Sequence, residues 1–266
     1  PNAIADLNKK FGFDQPLVVQ YWNWLSSALT GDFGRSYATQ QSVAGSIAGA
    51  FPVTLELTLW SMVLSVLLAI VINTLVRPDT LTRGIVTWLM MLGITIPNFM
   101  LGISIIFLFS VTLGILPTSG WIPWSSSAID HLRHMIAPVL TLSAYYFGVL
   151  SIVYRAEFSS IQKQTYLQVA RAKGASEGSV AFKHALPNAI LPVITYAGVS
   201  MGQLLGGAVV TETVFSLPGI GRLFVSSISA QDFPVMLSVG LLIIVAVIIM
   251  NVITDIVYML INPQIR

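Results

Sequence analysis

Cysteine is absent from this chain of 266 residues, and charged residues are scarce. Without cysteine there are no disulfides, thiolate nucleophiles or cysteine metal sites, so the compartment cannot be inferred from redox chemistry. Charged side chains make up 9% of the residues, against about 25% in a typical soluble domain. The net charge of +2 is too small to suggest nucleic acid as a partner. These shortages exclude an ordinary water-soluble domain.

Apolar side chains are plentiful instead, at 55% of the chain, and the mean hydropathy is +0.81. Five apolar segments are each long enough to cross about 30 Å of hydrocarbon as a helix. They cover residues 53–76, 85–114, 136–154, 190–210 and 235–261. Their residues do not alternate as those of membrane strands do. The sequence therefore predicts an all-α, polytopic transmembrane protein with five spans in this chain.

The distribution of Lys and Arg predicts how the spans are oriented. Residues 155–187 form a polar, basic stretch between two apolar segments, which places them in the cytoplasm. That side then holds the larger share of the 13 basic residues. Residues 1–51 become an external segment, followed by a transmembrane domain over 52–261, with Pro52 in the first turn of its first helix. An external start without a signal peptide suggests a further span upstream, six in the full protein.

The polar stretch 155–187 contains signals for two helices. Apolar residues over 157–173 indicate a weak amphipathic helix that Gly174 can end. Ser176 can cap a second short helix, with Glu177 in its first turn. On composition alone, a merely solvated loop is an equally good interpretation.

The same stretch resembles the "EAA" loop of ABC-importer permeases. The resemblance rests on Gln168-Val169-Ala170, Gly174 and His184-Ala185-Leu186-Pro187. Residues 12–17, 31–36, 212–223 and 262–266 are similar to further motifs of the dipeptide/oligopeptide/nickel subfamily, closest to its "B" subunits without their first span. The chain departs from the family at Thr165, where an acid is usual, at Pro187, and at Asn262 and Gln264.

This resemblance implies a type I importer-like permease subunit of an ATP-driven importer in a bacterial or archaeal inner membrane. The substrate would be a dipeptide or oligopeptide, or alternatively glutathione or a nickel or other metal chelate. Partners would be a second homologous permease, two cytoplasmic ATPase subunits, an external solute-binding protein and the lipid bilayer. The chain would be no enzyme and hold no cofactor; ATP and Mg²⁺ would bind the ATPases, since the sequence has no phosphate-binding loop.

The resemblance also implies which residues dock on the ATPase. They lie on both sides of the Gly174 turn. They are Tyr166, Ala170, Arg171, Lys173, Gly174, Ala175, Ser176, Glu177, Lys183, His184 and Leu186.

Other residues are candidates for the translocation path or its outer gate. Pro97 should kink the second span, and Asn98 beside it could line a path. Glu56 lies near the outer end of its span, where it could reach the surface or contact substrate. The gate candidates follow the fourth span: Glu212, Phe215, Pro218 and Gly219. For the polar groups, hydrogen bonding to a neighbouring helix is an equally good interpretation.

Three glycines spaced four apart, Gly198, Gly202 and Gly206, form a small-residue helix face. Such a face allows close packing against either this chain or a second permease, and both remain open. The overlapping pattern Gly-x-Ser-x-Gly at 198–202 is coincidental, since a serine nucleophile elbow needs a strand before it.

The rival transport class is a proton-coupled carrier, which needs inverted repeats and buried ionisable relays. The sequence shows no repeat. Asp255 is the deepest acid, and its spacing from Asn251 favours a structural pairing. His131 and His134 could begin a metal site, but no third ligand lies nearby, and no metal site is predicted.

Overall fold

The computed structural model describes residues 14–76 and 81–261. Predictions that rest on residues 12–13 or 262–266, and on basic residues such as Arg77, lie outside this part. The described residues are helical and contain no β-strand, apart from one isolated antiparallel bridge between Arg35 and Ser42. The all-α prediction is confirmed.

Ten α-helices follow one another in the described chain. They are α1 (Leu17–Leu29), α2 (Val43–Leu75), α3 (Leu81–Thr95), α4 (Asn98–Ile105), α5 (Ala128–Gln162), α6 (Thr165–Ala172), α7 (Glu177–Ser179), α8 (Leu186–Val214), α9 (Ile220–Ser229) and α10 (Phe233–Ile261). A π-helix extends α4 over Ile106–Thr112, and another joins α7 to α8 over Val180–Ala185.

Among the described residues, four helices are long and apolar enough to cross a membrane, and a bent pair makes a fifth candidate. The four are α2, α5, α10 and the helix that runs from Glu177 to Val214. The bent pair consists of α3 and of α4 with its π extension. The chain bends by 114° between them. Pro97 lies at the bend with an extended backbone, φ −57° and ψ 137°, and begins α4. The kink predicted at Pro97 is therefore a complete break.

The first long helix begins earlier than predicted, at Val43. The Ser42 side chain accepts a hydrogen bond from the Gly45 N–H and caps it. The extra turns are apolar and pack with Ile220 and Val239. Pro52 therefore lies inside α2, and the predicted position in its first turn is wrong.

Helix α5 reaches further than the predicted third span and includes the start of the polar stretch. It runs to Gln162, where a break at Lys163 and Gln164 separates it from α6. The single helix predicted over 157–173 is thus two helices. Residues 155–162 belong to α5, not to a loop.

Helices α2, α5 and α8 form the centre of the bundle. Their shared core contains Leu57, Leu150 and Leu204, all fully buried. Helix α10 packs mainly on α8 and leaves most of its surface uncovered, with 17% of its most apolar stretch buried. A surface this apolar is suited to lipid or to another membrane subunit.

Helices α3 and α5 approach closely where they cross. A Cβ on Gly93 would overlap the Ala144 carbonyl, and one on Gly148 would lie 2.6 Å from the Met90 oxygen. Neither glycine was singled out from the sequence. Small residues at this crossing let one half of the broken span contact the central bundle directly.

Candidate functional site

The Gly174 turn ends α6 in a regular hydrogen-bonded form. Gly174 has φ +84°, a left-handed conformation that glycine adopts without steric cost. The Gly174 N–H donates to the Arg171 carbonyl (2.9 Å), and the Ala175 N–H donates to the Ala170 carbonyl (3.1 Å). These two bonds make a Schellman motif, so the turn has one defined geometry.

A small apolar core lies beneath this turn. Leu167, Val180 and Ala185 are each at most 1% exposed and pack together, with Phe158 of α5 against them. Leu167 and Ala170 of α6 thus face the following segment, whereas Val169 is exposed. The open interpretation of a merely solvated loop is wrong, because a loop without packing would leave Leu167 exposed.

The outer surface of the same element is polar. Arg171 Nε and Glu177 Oε1 lie 3.0 Å apart and form an ion pair across the turn. Ser176 accepts the Ser179 N–H and caps α7, as predicted. Lys173 and Lys183 are exposed. Residues 165–185 therefore form a folded element, called the knob below, with charged groups of both signs on its surface.

The remaining residues predicted for docking lie around this knob. The Asn188 side chain donates to the Tyr166 hydroxyl (3.2 Å) and to the His184 carbonyl (3.0 Å). Ala170 and Ala175 pack at the edge of the small core, and Leu186 packs against the main core. All of the predicted docking residues therefore belong to one contiguous element.

The second short helix is not separate from the fourth span. After Ser179 the chain continues as a π-helix and then as α8, so that Glu177–Val214 forms one helix of 38 residues. No glycine or turn interrupts residues 179–186. Pro187 sits at the start of α8 and does not stop the helix.

Arg155 lies within the bundle and not in the polar loop. Its guanidinium donates to Asn73 Oδ1 of α2 and to Thr87 Oγ1 of α3, the latter at 2.6 Å. Asn73 in turn donates to Ser151 Oγ at 2.9 Å. Arg155 therefore ties three spans together near their inner ends. A polar Asn within an apolar run was the sequence signal, which the prediction did not use.

At the end of α8 remote from the Gly174 turn, Glu212 is completely buried and meets the start of α9. Its carboxylate accepts hydrogen bonds from Thr54 Oγ1 (2.5 Å) and from the backbone N–H groups of Arg222 (2.9 Å) and Gly221. Thr54 also accepts the Ile220 N–H at 2.8 Å. A carboxylate at a helix N-terminus satisfies N–H groups that lack partners within the helix.

The other gate candidates surround this carboxylate. A Cβ on Gly219 would overlap the Glu212 carboxyl group, so only glycine fits there. Phe215 is 2% exposed and lies over Gly102 of the broken span. Its carbonyl accepts the Gly120 N–H at 2.9 Å. Pro218 is exposed. The outer ends of α4 and α8 are thus joined through Phe215.

Glu56 is held by aromatic residues. Its Oε1 accepts the Trp124 indole N–H (2.8 Å) and lies 2.9 Å from His131 Nε2. His131 is fully buried, stacks on Trp124 and bonds the Ile122 carbonyl through Nδ1 at 2.7 Å. Because a carbonyl oxygen can only accept, His131 Nδ1 must donate to Ile122. The contact between Nε2 and the Glu56 carboxylate is a hydrogen bond that needs one proton between the two atoms. Glu56 therefore ties the 113–127 connection to α2.

Both His131 nitrogens are engaged, and in the described chain no three His, Asp or Glu side chains are placed to hold a metal ion. Asn98 is half-buried at the start of α4. Asp255 is exposed on α10 beside an exposed Asn251.

Asp232 is a further outer residue that sequence reasoning missed. It is 4% exposed, accepts the hydroxyl of Ser36 and accepts the Tyr37 N–H at 3.0 Å. It directly precedes α10, so residues 36–37 are fixed to the start of the last long helix. Its partners lie almost two hundred residues earlier, and no local pattern signals them.

The glycine face on α8 divides between two environments. A Cβ on Gly198 would overlap Thr254 of α10, and one on Gly202 would lie 3.2 Å from Val247. Gly206 has open space where its Cβ would be. The first two glycines therefore face α10 of the same chain, and the predicted packing is not seen at Gly206. Ser200 is buried in the middle of α8, with no strand before it.

Family models match almost the whole sequence. The model described as the binding-protein-dependent transport system inner membrane component matches residues 32–266. A second model, for the N-terminal part of such components, matches residues 1–58.

Among characterised relatives, the glutathione transport system permease protein of Escherichia coli is 40% identical over 270 residues, which is 99% of this chain and 84% of the relative. The protein of the same description from Salmonella typhi is 40% identical over 266 residues, with the same coverage.

Solved structures share the fold at low sequence identity. An amino acid ABC transporter matches with a TM-score of 0.61 at 15% identity, covering 80% of this chain and 93% of its own. The methionine ABC transporter MetNI in an inward-facing conformation matches with a TM-score of 0.60 at 16% identity, covering 83% and 94%.

Proposed function

Because this chain belongs to the family of binding-protein-dependent transport system inner membrane components, we propose that its Gly174 knob receives ATP-driven motion from a cytoplasmic ATPase subunit. The chain is a multi-pass permease subunit of an ABC importer. The knob, residues 165–185, supports the proposal because it is folded, has a polar surface and continues directly into a membrane-spanning helix.

The mechanism we propose is alternating access in a bacterial plasma membrane. ATP binding closes two ATPase subunits, the groove that holds the knob moves, and α8 carries that motion across the membrane. Hydrolysis takes place on the partners, in keeping with a sequence that has no phosphate-binding loop. The path runs between this chain and a second homologous permease, since four or five spans make half a pore.

An external solute-binding protein delivers the substrate to the outer surface. We place at that surface residues 14–42 of the external segment and the connections at 113–127 and 215–232. Glu212, Phe215, Pro218 and Gly219 form its gate region, fixed by the bonds of Glu212. Two further places border the path. Pro97 and Asn98 lie at the bend of the broken span, and Glu56 lies in the aromatic cluster with Trp124 and His131.

We propose a small peptide as the substrate. Relatives at 40% identity are described as glutathione transport permeases, and glutathione is itself a short peptide. Dipeptides and oligopeptides share its amide backbone and termini, and nickel or other metal chelates are the alternative. Uptake of labelled dipeptide, glutathione and nickel chelate by the reconstituted importer, with its own binding protein, separates the three. Uptake of the nickel chelate alone would contradict a peptide substrate.

The knob is tested by changing the backbone preference of Gly174 alone. Valine is strongly disfavoured at φ +84°, whereas asparagine tolerates this conformation. Because nothing lies within 4 Å of the Gly174 Cβ position, neither side chain clashes. We expect Gly174→Val to lose ATPase co-purification and substrate-stimulated ATP hydrolysis in proteoliposomes, with the spans still folded by circular dichroism.

Gly174→Asn is the matched control, and it should keep both properties. If the valine variant assembles with the ATPase and transports like the unmodified chain, the knob is not the docking element. If both variants lose assembly equally, the left-handed turn is not what the ATPase requires.

A further inference from the structure

Helix α1 has an uncovered apolar face and no charged side chain. Its sequence, residues 17–29, contains no Asp, Glu, Lys or Arg. Leu17, Val18, Trp22 and Leu29 are each at least 67% exposed, and Tyr21 is 56% exposed. No other described helix packs along its length. Uncovered apolar area of this kind marks an interaction surface.

The apolar and polar residues of α1 lie on different sides. At 100° per residue, Val18, Trp22 and Leu29 fall within one sector, and Tyr21 lies next to it. The opposite side is polar and contains Gln20, Asn23 and Ser27, whereas Ser26 lies at the border, about 40° from Trp22. The helix is therefore amphipathic, with one side suited to water and the other to an apolar phase.

The chain after α1 is anchored where a span leaves the membrane. Gly31, with φ +84°, ends the helix in a Schellman motif, in which the Asp32 N–H donates to the Ser27 carbonyl at 3.0 Å. Ser36 then donates to Asp232, the residue before α10 begins. The seven residues from Thr30 to Ser36 span at most about 25 Å, so α1 lies close to the outer end of α10.

We propose that α1 lies in the outer surface of the lipid bilayer, with Trp22 and Tyr21 among the headgroups and Val18 and Leu29 towards the acyl chains. Tryptophan and tyrosine concentrate at this boundary because their rings are both apolar and polar. The surface of α10 is apolar and largely uncovered, and the short linker keeps α1 within reach of the lipid around it. A protein partner would more often meet charged residues at the rim of its contact.

The absence of charge on α1 adds a consequence for lipid composition. Most helices in the bilayer surface carry Lys or Arg and depend on anionic lipid. Helix α1 has neither, so its insertion rests on apolar burial and is the same in zwitterionic and anionic bilayers. This independence from lipid charge distinguishes α1 from a basic lipid-binding helix.

Spin labels on single cysteines test the placement. The chain has no cysteine, so Val18→Cys, Trp22→Cys, Asn23→Cys and Ser27→Cys each give one label position within it. Each variant is assembled into the complete importer in nanodiscs, and the unmodified importer gives the background signal. Electron paramagnetic resonance then measures collision of the label with oxygen, which concentrates in lipid, and with a water-soluble nickel complex.

We expect labels at 18 and 22 to collide several-fold more with oxygen than with the nickel complex, and labels at 23 and 27 to show the reverse. The pattern should be the same in phosphatidylcholine and in phosphatidylglycerol nanodiscs. Water accessibility at all four positions would overturn the proposal. So would labels at 18 and 22 shielded from both reagents, which would mean that protein covers the face. Both readouts are independent of ATPase docking.

Discussion

Glu212 is an acid that is stabilised by a helix end and a hydroxyl group, with no basic side chain bonded to its carboxylate among the described residues. The N–H groups of Gly221 and Arg222 point at the carboxylate from the first turn of α9, where the helix dipole is positive. Thr54 brings α2 to the same point. One side chain therefore joins α2, α8 and α9, which makes it a structural centre of the outer end.

Glu212→Gln tests this centre at the level of single atoms. An amide keeps the shape but offers one oxygen where the carboxylate offers two, and its NH₂ group faces an N–H donor. We expect the variant to lose about 1–3 kcal/mol of stability, the cost of leaving a buried donor without a partner. The measurement is thermal unfolding of the purified subunit in detergent.

Glu177→Gln is the control, since that carboxylate is largely exposed and its ion pair contributes little. An unchanged unfolding temperature for Glu212→Gln, equal to that of the control, would mean that the carboxylate is not needed to hold α9.

At the scale of elements, the sequence predicted the positions of the spans but not the residues at which their helices begin and end. Long apolar runs must be helices in lipid, because every backbone polar group has to be bonded within the segment. Beyond the hydrocarbon this requirement ends, so a helix stops where capping or a turn stops it. Ser42 lengthened α2 and the lack of a turn after Ser179 fused α7 with α8, features that hydropathy does not register.

The Gly174 turn and the Ser176 cap were predicted correctly, whereas the long-range contacts were not. Gly174, Ser176 and the apolar spacing of α6 are local signals, and their geometry followed. Arg155 was assigned to a loop because its partner Asn73 is 82 residues away. Glu212 was taken for a gate residue, with its bond to Thr54 across 158 residues unforeseen. Charge in an apolar neighbourhood reveals that a partner exists but not which one.

Helix packing gives a prediction on the glycine face of α8. Gly198→Ala places a methyl group into Thr254, so we expect it to loosen the contact between α8 and α10. Gly206→Ala adds the same methyl in open space and should leave the isolated subunit unchanged. Crosslinking between cysteines introduced on α8 and α10 measures the first effect. Equal crosslinking in both variants would contradict the close approach at Gly198.

At the scale of the whole molecule, Asp232 holds the segment before α2 against the transmembrane bundle. This carboxylate accepts bonds from Ser36 and Tyr37, so residues 33–42 and the start of α10 form one outer unit. Asp232→Asn removes one acceptor oxygen from a buried site. We expect faster cleavage of residues 30–42 by an externally added protease in sealed proteoliposomes, severalfold above that of the unmodified chain.

Asp14→Asn is the control for this change, since Asp14 is exposed and its charge is equal. Protection of residues 30–42 that is the same in the two variants would show that the segment is held by other contacts.

The long helix from Glu177 to Val214, which is continuous although it contains Pro192, has a mechanical consequence. At 1.5 Å per residue its 38 residues reach about 57 Å, nearly twice the thickness of the hydrocarbon. Tilting such a rod by about 5° about its inner end displaces the other end sideways by roughly 5 Å, the width of a peptide backbone. In the mechanism proposed above, a small rotation at the knob is therefore amplified at the far end of the helix in proportion to distance.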